Sequence, residues 1–148
     1  MANLTTLYRE GLGDQIMLGV AMAAPAKHFI ALFTADPTAA AQLVNEVTAA
    51  QWPGYARCDV GVLADAWNKL GDGLYRNKAR FYFEPNAGAQ VVIVTHMGIF
   101  EAGAGGRMIT SKQLGTSQPD GSFQPAPKRI ESGDDLSFHP GTIDFQLS

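Results

Sequence analysis

The sequence predicts a mainly β protein, an antiparallel β-sandwich or jelly roll with an N-terminal helical arm. Three observations predict it. Beyond Pro25 the apolar residues tend to recur at every second position, the period of a half-buried strand. Sixteen glycines and eight prolines in 148 residues cut the chain into short pieces, which argues against a helical bundle. About seven strand-like runs separated by turn signals have the spacing of a sandwich. The expected division is an arm over residues 1–25 and a β domain over residues 26–148.

Residues 3–22 read as the arm's helix. Leu4, Leu7, Tyr8, Leu12 and Ile16 recur at helical spacing, while Arg9, Glu10 and Asp14 take other faces. Gly11, Gly13 and Gly19 each weaken such a helix by roughly 1 kcal/mol relative to Ala. A helix this poor needs a surface to dock on, either its own sheet or another subunit. The five apolar residues are therefore the candidate partner interface. Pro25 ends the helix.

From residue 27 the chain reads as strands. KHFIALFT (27–34) is nearly all apolar, as in a strand buried on both faces. A turn at DPT (36–38) leads to an Ala-rich helical turn or loop over 39–51, and WPGY (52–55) turns again. ARCDVGVL (56–63) reads as a strand and residues 64–77 as turn-rich. KARFYFE (78–84) places Ala79, Phe81 and Phe83 on one face. QVVIVTHMGIF (90–100) is a β-branched run expected to be the central strand. RMIT (107–110) follows, then a Pro- and Gly-rich surface loop over 115–127. The last strands, DDLSFH (134–139) and TIDFQLS (142–148), flank Pro140-Gly141. In the final one Ile143, Phe145 and Leu147 share a face. A slip of one residue would expose all three, so its register is firmly specified.

Charge and cysteine content exclude several functions. Eleven basic and fourteen acidic residues give a net charge of −3, without the basic footprint that direct nucleic-acid binding needs. The densest basic run, Arg76, Lys78 and Arg80, reads as the solvent face of a strand. Cys58 is the single cysteine, so neither an internal disulfide nor a Cys-rich metal site is expected. The start, MANLTTLYREGLGDQ, lacks the pattern of a secretory leader. No run approaches the ~18 apolar residues of a membrane span.

The motifs for catalysis are missing at the spacing chemistry requires. Gly103, Gly105 and Gly106 suggest a phosphate loop. That loop needs a following helix and, in the Walker form, Gly-Lys-Ser/Thr, whereas Gly106 is followed by Arg107 and Met108. A hairpin turn is the simpler reading. His28, His96 and His139 lie too far apart in sequence for a local metal motif. There is no nucleophile elbow. Asp134, Asp135 and Glu101 read as carboxylates at strand ends, and Cys58 as a small buried hydrophobe. No enzyme activity and no cofactor are expected. Trp52 and Tyr55 bracket Pro53-Gly54 and form a candidate surface aromatic pair for stacking a sugar in a carbohydrate-binding module. Packing at the core edge is the alternative use.

Six elements occur in a fixed order. They are ALFTADP, then Glu46-Val47 with Tyr55-Ala56-Arg57, then Asn77 before the Phe-rich strand. THMGIF, the Gly105-Gly106 turn and GDDLSFHPG complete the series. In this the chain resembles a group of small tailed-phage virion proteins over about residues 27–148. Members are commonly named tail-fibre or minor tail proteins, and some resemble capsid cement (decoration) proteins of jelly-roll type. Two departures are the longer, Ala-rich 39–51 segment and the loop at 115–127.

The resemblance implies a virion structural protein made in the host cytoplasm. As its first reading it implies a cement protein on the capsid surface. The partner would be the major capsid protein and the chain a homo-oligomer, dimer or trimer. A tail-fibre or minor tail component is the alternative.

Overall fold

The computed structural model describes residues 4–37 and 44–147. It is mainly β, with antiparallel sheets and one N-terminal helix, consistent with the expected β-sandwich. The turn expected at 36–38 and the Ala-rich segment at 39–51 lie in part outside the described residues.

The arm's helix, α1, spans Thr6–Leu18 and stops four residues before the expected end. Gly19 takes the left-handed conformation there, with φ of 67°, and such a glycine ends a helix wherever it falls. Next come β1 (Phe29–Phe33), β2 (Cys58–Asp59) and a single turn, α2 (Leu63–Ala66). After it lie β3 (Trp67–Gly71), β4 (Leu74–Asn77), β5 (Phe81–Phe83) and β6 (Val92–Val94). β7 (His96–Phe100), β8 (Met108–Gln113), β9 (Gly115–Ser117) and β10 (Phe123–Pro125) follow. β11 (Lys128–Ile130), β12 (Leu136–Phe138) and β13 (Asp144–Gln146) close the chain.

The largest sheet has the order β2-β1-β7-β8. β1 and β7 pair along their full length, from Phe29 opposite Phe100 to Phe33 opposite His96. Both faces of this sheet are covered, as the apolar run in β1 predicts. Ile30, Leu32, Met97 and Ile99 join the main core, while Ala31, Phe33, Phe100 and Met108 form a smaller core behind it. Gly98 is small because the second core needs its space. A Cβ there would lie 2.9 Å from the Met108 sulfur and 3.0 Å from the Phe33 ring. Gly98→Ala is therefore expected to cost about 1–3 kcal/mol by overpacking, read as a lower urea midpoint with an unchanged slope.

The rest of the sandwich is a folded ribbon. β4, β5 and β6 run antiparallel to β13, β12 and β11, and the partner moves back almost residue for residue. Arg76 faces Asp144, Phe83 faces Leu136 and Val92 faces Ile130. A two-stranded ribbon folded in this way is the plan of a jelly roll. Ile143 and Phe145 are buried as expected. Asn77 locks the ribbon's start. Its amide donates to the carbonyls of Ala79 and His139 and accepts from the N–H groups of Thr142 and Ile143, at 2.8–3.0 Å. All its hydrogen-bonding capacity is used, so it can sit 1% exposed.

Three expectations are corrected. The run 90–100 is not one strand. At Thr95 the chain leaves the β6–β11 pair for the large sheet, and Thr95 N–H donates to Phe33 O at 2.9 Å. Uniform β propensity cannot mark such a corner. Residues 64–77, read as turns, form α2 and the β3–β4 hairpin closed at Asp72-Gly73. Gly73 has φ of 69°, and a side chain there would run into the Leu147 carbonyl. Residues 115–127, read as a loop, contain the β9–β10 hairpin, and β11 follows directly.

Candidate partner interface

The arm is fastened at its start, and beyond the helix Met22 packs against the main core. Thr5 N–H donates to Ile109 O at 2.9 Å, its hydroxyl donates to Met108 O at 2.6 Å, and Leu4 bridges Thr110. Residues 4 and 5 thus extend the large sheet at the β8 edge. One turn later the Tyr8 hydroxyl donates to Glu101 Oε2 at 2.9 Å. Arg107 grips the same carboxylate with two bonds, at 2.9 and 3.0 Å, and its guanidinium lies over the Tyr8 ring. Burial, with the carboxylate beside it, pushes the Tyr8 phenol up to about 12, so it remains a donor at neutral pH.

The Arg107 hydrogen bonds hold Glu101 below the ordinary glutamate value of 4.5. A carboxyl depressed on folding contributes stability above its unfolded pKa and loses it as pH falls through the folded one. The root of the arm is therefore expected to loosen below about pH 4.5. The Tyr8 phenol is raised and must stay protonated to donate to Glu101, so the root should loosen again on the alkaline side only above about pH 10. Amide-exchange protection at residues 8–10, taken relative to the intrinsic rate at each pH, checks this, and Glu101→Gln should remove the acid dependence of that protection.

This geometry divides the five residues expected to meet a partner. Leu4 and Tyr8 are used by the chain itself, packed on or within the main core. Leu7, Leu12 and Ile16 are exposed. Met17, Leu18 and Val20 extend the exposed apolar surface, and Ile16 and Met17 stand 79% and 80% exposed. Periodicity missed the last three because they cluster at and just past the helix end and do not form a stripe. Scattered exposed hydrophobes are ordinary, but this group is concentrated on the half of α1 that the sheet does not hold.

Trp52 and Tyr55 are not a surface platform. Trp52 is fully buried, its indole N–H donating to Glu84 O at 3.0 Å. Tyr55 stacks on Phe83, with ring planes 4° apart, and its hydroxyl accepts from Leu32 N–H at 3.0 Å. The turn around Pro53-Gly54 points both aromatic side chains inward, which is the core-edge use.

Beside them lies a cluster that the sequence did not announce. Arg57 makes two 2.7 Å bonds to Glu46, and its guanidinium carbon sits 3.7 Å from the Phe100 ring centre. The same Arg57 donates to Ala102 O and Gly105 O, at 2.8 and 2.7 Å. The glycine-rich turn therefore aims carbonyls at a cation, the reverse of a phosphate cradle. It also brings three separate sequence elements together, Glu46-Val47, Tyr55-Ala56-Arg57 and the Gly105-Gly106 turn. The arrangement braces the smaller core.

The other chemistry-bearing residues stay apart. Among the described residues no three His, Cys, Asp or Glu side chains gather as metal ligands. His28 accepts the Trp67 indole N–H at 3.1 Å, and His96 pairs with the Thr95 hydroxyl at 2.8 Å. Burial pushes the Cys58 thiol up, opposite to an activated nucleophile. No helix among the described residues is long and apolar enough to cross a membrane.

A family model described as Podophage GP4 fiber I protein gp80 matches residues 3–146 of this chain. No curated protein matches it.

Proposed function

The chain belongs to the podophage GP4 fiber I protein gp80 family, a family of tailed-phage virion proteins, and from that premise we propose that it is a structural component of the phage fibre, attached through α1. The observation that carries this is the extent of the match, which takes in the arm and the sandwich together. The arm supports it physically. Its root is pinned to β8 and Glu101, while its far half presents Leu12, Ile16, Met17 and Leu18 to solvent. Covering that face on assembly would stabilise the helix whose glycines weaken it, coupling docking to ordering. The proposal assigns the protein no reaction, no cofactor and no nucleic-acid contact. Its partner is another virion subunit, with self-association into a dimer or trimer as part of the same assembly.

The capsid-cement reading rests on the resemblance of some such virion proteins to cement proteins of jelly-roll type. The family's fibre description favours the tail. Gold-labelled antibody on purified virions separates the two readings. Label on the tail at a few copies per particle is expected, whereas hundreds of copies over the capsid would replace the fibre reading with cement. Ile16→Asp with Met17→Asp should change folding stability by less than about 1 kcal/mol, because both side chains are exposed. The same pair should strongly reduce incorporation of the protein into particles, measured by immunoblot of purified virions.

A further inference from the structure

An open groove of about 890 Å³ runs between the β8–β9 segment and β13. Its lining is mostly polar, with Thr116, Gln113 and Gln146 among its residues. The half-buried Lys112 also lines it. Its ammonium donates to Asp144 O at 2.9 Å, one bond for a group with three N–H donors. The Asp144 carboxylate is taken up by two bonds from Arg76, at 2.6 and 2.8 Å. Gln146 spends its amide nitrogen on Asp72 O, which leaves its carbonyl oxygen as an acceptor.

One wall carries an aromatic ring. Phe123 is 40% exposed, and its ring packs directly over Gly115. A Cβ at position 115 would lie 2.6 Å from it. Gly115 makes room first for the Gln124 carbonyl, which a side chain there would strike, and then for the tip of the Phe123 ring, which the β9–β10 hairpin places at the groove's edge.

These features select a ligand class. A lipid or an apolar peptide would leave the groove's amides and hydroxyls unpaired. A nucleic-acid strand would meet Asp36 and Asp144 as well as Lys112, a poor match for a phosphate backbone. A sugar chain suits both parts, because its hydroxyls exchange hydrogen bonds with amides and hydroxyls and its ring faces stack on an aromatic side chain. We propose that this groove is a glycan-binding site, with Phe123 as the stacking platform and Lys112, Gln113 and Gln146 as polar contacts. The inference rests on the groove's chemistry and does not depend on the fibre assignment.

The test applies the purified full chain to an array of bacterial surface polysaccharides, with dextran and dextran sulfate as controls. Binding to at least one surface polysaccharide is expected. Phe123→Ala should weaken it by about tenfold, the loss of one stacking contact, while Phe123→Trp should retain it. Gln113→Leu, outside the hairpin, should weaken the same binding with the fold unchanged by circular dichroism. Binding to no polysaccharide, or to dextran sulfate alone, would overturn the proposal, as would affinity indifferent to both Phe123→Ala and Gln113→Leu. Failure here would leave the position of the protein in the virion untouched, and a capsid location would leave the groove's binding untouched.

Discussion

Trp52→Ala is expected to destabilise the sandwich by about 3–5 kcal/mol, the range for emptying a large aromatic site. The side chain is wholly enclosed, with Tyr55 and Phe83 as ring neighbours at 5.9 and 6.5 Å. Its removal also leaves Glu84 O without the indole donor. Against a typical total of roughly 5–15 kcal/mol, the variant should unfold at far lower urea or fail to accumulate. Trp52→Phe should cost much less, since it keeps a ring and loses one hydrogen bond. Equilibrium urea unfolding followed by far-ultraviolet circular dichroism measures both. A Trp52→Ala variant as stable as the parent would contradict the burial of this residue. The same result explains why Trp52→Ala cannot report on sugar stacking, because its dominant effect is on folding.

Arg57→Ala should have an effect of similar size, about 3–5 kcal/mol, for an electrostatic reason. Its side chain is 3% exposed and that of Glu46 is 15% exposed. Taking away one partner strands the other carboxylate in poorly solvated surroundings, which costs far more than the intact pair contributes. The carbonyls of Ala102 and Gly105 lose their donor and Phe100 loses its cover at the same time. Arg57→Lys should recover little, since one ammonium cannot span both carboxylate oxygens and two carbonyls as a planar guanidinium does. Arg57→Met combined with Glu46→Leu should be clearly more stable than Arg57→Ala. A double-mutant cycle in urea gives the coupling. A coupling near zero would mean the pair behaves as an exposed surface bridge.

The parts of the fold that could be read in advance share one property, that neighbours in sequence decide them. Ile143 and Phe145 alternate with Asp144, and that alternation alone assigns their face. FIALF, apolar throughout, announces a strand covered on both sides. The α1 helix shows in its spacing. Its end was misplaced because a glycine at position 19 and a proline at 25 both signal termination, and the nearer one acts first. The Asp72-Gly73 turn flanked by Leu70 and Leu74 is a hairpin signal of the ordinary kind. It was obscured because Gly71 adds a second break beside it.

The candidate site was only partly legible. Leu7, Leu12 and Ile16 do face solvent, but the same periodicity placed Leu4 and Tyr8 with them. What distinguishes the two groups is the position of Glu101 and the β8 edge, about a hundred residues away along the chain. The aromatic pair shows the same limit. Nothing in WPGY says whether its rings turn inward, because the cavity that receives them is built by Phe83 and Leu32. Lys112, Phe123 and Gln146 come from three strands and share a groove only once the ribbon has folded over.

Composition and alternation were sufficient to establish a mainly β chain with a weak helical arm, since strand faces and turn chemistry are local properties of the backbone. Where the ribbon bends at Thr95, which apolar residues of the arm remain uncovered, and why Arg57 turns its charge inward toward Glu46 and two carbonyls could be settled only by three-dimensional packing. Each depends on contacts between distant segments, whose energies exist only after the chain has brought them together.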